Sequence, residues 1–118
     1  MSTHNNHIKT GIVIAGYNET SGLREVVREL VEKNYTVIVV DDGSLVNPEP
    51  FLWGLPVHFL RHPVNLGQGA ALQTGIEYLL TVGVDCIITF DADGQHDPED
   101  VALLVDILFE SRVDIVLK

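Results

Sequence analysis

Strand-like apolar runs alternate with helix-like stripes along this whole chain. That alternation leads to an α/β architecture, a mostly parallel, Rossmann-like sheet with helices on both faces and right-handed crossovers. Residues 10–15, 35–40, 57–60, 86–90 and 114–117 read as five strands. Between them lie three stripes of helical period. In the first, Leu23, Val26, Val27, Leu30 and Val31 share one face, Glu25, Arg28, Glu29 and Glu32 lie off it, and Ser21 is the expected N-cap. The second opens at Gly67 and Gly69, has Leu72, Ile76, Leu79 and Leu80 as its expected inner face, and stops at Gly83. The third has Asp97 as N-cap, Pro98 at the first helical position, and Val101, Leu104, Val105 and Leu108 as its stripe. A long loop carrying Pro48, Pro50, Gly54 and Pro56 joins the second and third strands.

The chain's 118 residues, 46% of them hydrophobic, suffice for one domain with a core. Seventeen acids against seven bases give a net charge of −10 and no cluster of Lys or Arg. Nucleic acid is therefore not expected as a partner, and an anionic membrane surface would repel this one. An anionic ligand on such a chain needs a metal ion or backbone N–H groups to offset repulsion. Cys86 is the sole cysteine and sits in an apolar run, so it is expected to be a small buried hydrophobe in a reducing compartment. No apolar stretch reaches the roughly 18–20 residues a membrane helix needs. Residues 1–10 lack the apolar core of a signal peptide, and residues 1–8 are expected to be a flexible arm.

In a parallel sheet the strand ends share one edge, and open α/β sheets bind ligands beyond the carboxyl ends of their strands. The runs at residues 10–15, 35–40 and 86–90 each end in polar punctuation, so these points converge. After the first comes Ala15-Gly16-Tyr17-Asn18-Glu19, where a tyrosine can lie against a base ring and Glu19 can accept hydrogen bonds; a plain turn with a half-buried Tyr17 is the structural alternative. After the second comes Asp41-Asp42-Gly43-Ser44, a carboxylate site for a ring N–H, or else a side-chain-capped turn. After the fourth, apolar character stops at Asp91-Ala92-Asp93-Gly94-Gln95-His96-Asp97. Asp93 and Gln95 offer hard oxygens that suit Mg²⁺ or Mn²⁺ bridging a diphosphate, and Asp91 stands beside them. His96 is expected to bond within its loop. Asn65-Leu66-Gly67-Gln68-Gly69-Ala70-Ala71 lets the backbone pass close to an anion at a helix start; it lacks the third glycine of a dinucleotide fingerprint, because the sixth position is Leu72. Trp53 is expected to pack within its loop.

These four strings, in this order, resemble the family 2 glycosyltransferases of the GT-A fold, with a particular likeness to polyprenyl- or dolichyl-phosphate sugar synthases. The likeness covers residues 9–117, and residues 9–118 would be the donor-binding half of such a domain. It implies an inverting transfer of sugar from a nucleoside-diphosphate sugar to an acceptor such as a lipid phosphate. It implies nucleotide-sugar contacts from Ala15, Tyr17, Asn18, Glu19, Asp41, Asp42, Gly67, Gly69, Asp91, Ala92 and Asp93. Mg²⁺ or Mn²⁺ would be held by Asp91, Asp93 and Gln95. The family places such enzymes in the cytoplasm, with membrane association of the full-length enzyme.

The chain departs from the pattern at Ala15-Gly16, where the family has Pro-Ala, and at Gln68, where a base is common. The family's general base, acceptor site and a further antiparallel strand are expected beyond Lys118, so transfer by this chain alone is not expected. An open edge at the fourth strand would then pair with the last strand or with a second copy, giving a homodimer. Two other classes remain at this point: a non-catalytic assembly module of the same fold, and a receiver-like signalling domain.

Overall fold

The computed structural model describes residues 9–20 and 22–91. Four strands, β1 (Thr10–Gly16), β2 (Thr36–Asp41), β3 (His58–Arg61) and β4 (Cys86–Asp91), form one sheet in the order β3-β2-β1-β4. Every pairing is parallel. Two helices, α1 (Leu23–Glu32) and α2 (Gln68–Val82), supply the crossovers from β1 to β2 and from β3 to β4. Each strand lies within one residue of its expected bounds at either end. The expected helix at Asp97, the strand at 114–117, its edge pairing and the arm at 1–8 all lie outside the described residues.

The period of two along β1 and β2 decides which helix covers which face. Ile12 and Ile14 of β1 and Val37 and Val39 of β2 pack with Leu23, Val27 and Leu30 of α1. Val13, Ala15, Ile38 and Val40 face the other way, against Ala71 and Leu79 of α2. Both faces of the sheet are covered, which is why these strands read as continuous apolar runs. Burying each of the largest side chains contributes about 1.5–3 kcal/mol. Cys86 is buried as expected, its thiol 3.4 Å from Thr10 Oγ1.

The inner face of α2 differs from the expected one. Ala71, Gly75 and Leu79 are its buried residues, Leu72 and Ile76 are partly covered, and Leu80 is on the exposed side. Small residues set the contact because the helix lies close to the sheet: a Cβ built on Gly75 would stand 2.5 Å from Val13 Cγ1. Gly83 ends the helix, its N–H bonded to Leu79 O at 3.1 Å. Helix α1 starts after Gly22 with no side-chain cap, and Ser21 lies outside the described residues.

The proline-rich loop contains a 3-10 turn, Glu49–Leu52, which lowers Leu52 into the α1 side of the core. Arg24 of α1 holds it, donating to Phe51 O (3.0 Å) and Trp53 O (2.8 Å). The Trp53 side chain does not pack as expected; it is 68% exposed, because the turn faces the core with Leu52. No helix among the described residues is long and apolar enough to cross a membrane.

Candidate functional site

The chain order runs outward from β1 through β2 to β3, then returns to the other side of β1 at β4. The carboxyl ends of β1 and β4 therefore flank the switch point where open α/β sheets leave a crevice. Ala15 is the residue at that point, in register with Val40 of β2 on one side and Asp91 of β4 on the other. The carboxyl ends carrying Tyr17, Asn18, Glu19, Asp41, Asp42 and Asp91 thus lie along one edge.

The loop after β1 is stitched to the loop after β2. Asn18, in left-handed backbone at φ 56, donates its N–H to Ser44 Oγ (2.7 Å), and its Oδ1 accepts from Leu45 N (3.0 Å). Tyr17 beside it is 45% exposed, and Glu19 is exposed. Asp42 N donates to Gly16 O at 2.9 Å, extending the β1–β2 ladder past the strand.

Asp41 and Asp42 are both buried, each with its own set of donors. The Asp41 carboxylate accepts from Ser44 N (3.0 Å), from the Ser44 hydroxyl and from Arg61 Nε (3.0 Å), while Arg61 Nη2 donates to Ser44 O. This is the side-chain-capped turn considered from the sequence. Asp42 Oδ1 accepts from Leu66 N (2.9 Å) and lies 2.8 Å from His62 Nδ1; Oδ2 accepts from Gly67 N (2.8 Å). Burial pushes the Asp42 carboxyl up, but the Leu66 and Gly67 amides and His62 together outweigh it and hold the carboxyl below the usual aspartate range.

The glycine-bearing loop reaches this edge through those same bonds. Gly43, at φ 76, brings its backbone against the Val64 carbonyl carbon, and a Cβ there would stand 2.6 Å from Asn65 N. Gly67 is half-buried, and Gly69 is exposed in the first turn of α2. The backbone of Asp91 closes β4; Ala92, Asp93, Gln95 and His96 lie outside the described residues.

Arg61, His62 and Thr74 were not singled out from the sequence, although they complete the site's polar network. The available signal was the pair Arg61-His62 directly after the run at residues 57–60, which neighbours the pair Asp41-Asp42 after the run at 35–40.

Comparison with known proteins agrees with this geometry. The family model described as glycosyl transferase family 2 matches residues 11–117. The uncharacterized protein MJ1222 of Methanocaldococcus jannaschii is 41% identical over 101 residues, covering 84% of this chain and 42% of that protein. The UDP-N-acetylglucosamine–dolichyl-phosphate N-acetylglucosaminyltransferase of Methanococcus voltae is 32% identical over 124 residues, covering 90% and 49%. The chain thus spans less than half the length of either relative. Among solved structures, Mycobacterium tuberculosis glucosyl-3-phosphoglycerate synthase superposes with a TM-score of 0.69 at 22% identity, over 88% of this chain and 41% of that one. Staphylococcus aureus TarS gives 0.66 at 18% identity, over 87% and 33%. Both superpositions show the shared GT-A fold. The family match sets aside the receiver-like reading. This chain belongs to glycosyltransferase family 2.

Proposed function

We propose that this chain is the donor-binding half of an inverting glycosyltransferase, which moves a sugar from a nucleoside-diphosphate sugar to an acceptor of the polyprenyl- or dolichyl-phosphate class. The observation that carries the reading is the place of Ala15 at the switch point, flanked by Val40 and Asp91 at the sheet's carboxyl edge. The relative from M. voltae supports the lipid-phosphate acceptor by its name. The M. tuberculosis synthase, crystallised with Mn²⁺, UDP and glucosyl-3-phosphoglycerate, supports a uridine nucleotide and a divalent ion.

In this reading Tyr17, Asn18 and Glu19 hold the nucleoside from the β1 side. Asp42 receives a ring N–H on the part of Oδ2 that Gly67 N leaves open, since a carboxylate offers about four acceptor sites. Asp41 shapes the loop that carries Asp42. Gly67 and Gly69 let backbone approach the diphosphate, and Asp91, Ala92 and Asp93 lie by the ribose and diphosphate. The carboxylate and amide oxygens of Asp91, Asp93 and Gln95 are a hard donor set that fits Mg²⁺ or Mn²⁺. No group of three or more His, Cys, Asp or Glu among the described residues offers another site. When bound, the ion supplies positive charge to the departing diphosphate.

Thermal melting with UDP and GDP, each with and without Mn²⁺ or Mg²⁺, tests the proposal. Nucleotide plus metal raises the melting temperature, and Asp91→Ala with Asp93→Ala removes the metal-dependent part. An unchanged melting temperature with every nucleotide overturns donor binding. Binding indifferent to both substitutions instead favours the non-catalytic assembly module.

A further inference from the structure

The structure assigns a task to a residue outside every motif: we propose that His62 is a positioning residue that holds Asp42 and the Leu66-Gly67 backbone in their nucleotide-receiving arrangement. His62 follows β3, and its N–H donates to Asp41 O at 2.8 Å, so its backbone continues the β2–β3 ladder. Its side chain is 11% exposed. Nδ1 lies 2.8 Å from Asp42 Oδ1, and Nε2 lies 2.8 Å from Thr74 Oγ1.

Asp42 is a carboxylate kept ionised by its donors, so it only accepts, and Nδ1 donates to it. Thr74 Oγ1 also lies 3.0 Å from Ala70 O, one helical turn back; its hydroxyl gives its proton there and accepts from Nε2, or turns and donates to Nε2. The ring keeps both partners whether or not Nε2 carries a proton. Asp42 is the charged group in contact with it. From α2 it meets the neutral Thr74; Tyr78, one turn on, is taken up with His58 at 2.8 Å. The neighbouring Asp41–Arg61 pair belongs to the opposite face of the sheet.

The His62 ring therefore bridges the tip of β2 to the first turns of α2. Asp42 must place both oxygens to meet Leu66 N and Gly67 N, and the bond from Nδ1 fixes that orientation. Without the ring, Asp42 is free to turn, and the loop that approaches the ligand through Gly67 and Gly69 loses its anchor to β3.

The effect on ligand binding rests on the reading under Proposed function, so the experiment has one arm without ligand. In the ligand-free protein, exchange of the Leu66 and Gly67 amides is measured for wild type, His62→Ala, His62→Gln and Thr74→Val. UDP affinity in the presence of Mn²⁺ is measured in parallel. Both amides are expected to exchange faster in His62→Ala, and UDP binding to weaken about tenfold, as for loss of one charged hydrogen bond. His62→Gln, which keeps an N–H donor, recovers part of both losses. Amide exchange in His62→Ala equal to that of wild type overturns the inference and leaves the donor-site reading intact. Faster exchange in His62→Ala with no UDP binding by wild type overturns the donor-site reading alone.

Discussion

Arg61 Nε lies 3.0 Å from Asp41 Oδ2, across the last register pair of β2 and β3. The pair joins two strand tips whose loops frame the candidate site, and Arg61 also donates to Ser44 O. Asp41 is buried while the Arg61 side chain is 36% exposed, so water reaches one end of the pair. Asp41 retains both donors from Ser44 if Arg61 is removed. The Arg61→Met substitution keeps the apolar stem and deletes the charge. We expect it to cost about 1–2 kcal/mol, above a surface pair and below a fully buried one. Urea unfolding at low and high salt checks this; an equally or more stable variant would show that the pair holds nothing together.

Asp42 gives the fold a dependence on acid. Its carboxyl is held below the usual aspartate range in the folded protein, so its stabilisation is fully present above the ordinary value of about 4 and is lost as pH falls through the folded value. Asp42→Asn cannot ionise, and its amide must turn an N–H toward one of the donors Leu66 N, Gly67 N or His62. The variant is expected to be less stable than wild type at neutral pH, with the two unfolding free energies converging as pH falls below about 4. Urea titrations in steps from neutral pH into acid read this directly. A gap that stays constant over the whole range contradicts it.

Strand positions and both described helices could be read from residue spacing, because apolar alternation in β1 and β2 and the Leu23-Val27-Leu30 stripe report burial directly. The ends of β1, β2 and β4 were also legible, since each apolar run stops where polar loop residues begin. The face of α2 was not. Hydropathy favours Leu80 over Gly75, yet close approach to the sheet selects the small residue. His62 and Arg61 escaped for a different reason. Their importance comes from lateral register, which pairs Asp41 with Arg61, and no single segment of sequence contains that relation. Leu52 shows the same limit: a loop rich in proline reads as irregular, while the 3-10 turn within it fills the core.

Gly75 offers the clearest conflict between helix propensity and packing. In an exposed helix interior, Gly→Ala is worth about 1 kcal/mol in favour of alanine. Here the added Cβ would stand 2.5 Å from Val13 Cγ1 and 3.2 Å from Val40 Cγ2. Val13 and Val40 are fully buried and β-branched, so neither can swing away without disturbing β1 or β2. Overpacking of this kind costs about 1–3 kcal/mol, and the strain exceeds the gain in propensity. Gly75→Ala is therefore expected to lower stability by about 1 kcal/mol net, and Gly75→Val by more. A double substitution, Gly75→Ala with Val13→Ala, relieves the overlap and is less destabilised than the sum of its parts. Chemical denaturation of wild type, Gly75→Ala, Gly75→Val, Val13→Ala and the double variant tests this. A more stable Gly75→Ala would mean that α2 can lift off the sheet at little cost, and that Gly75 is not what sets their spacing.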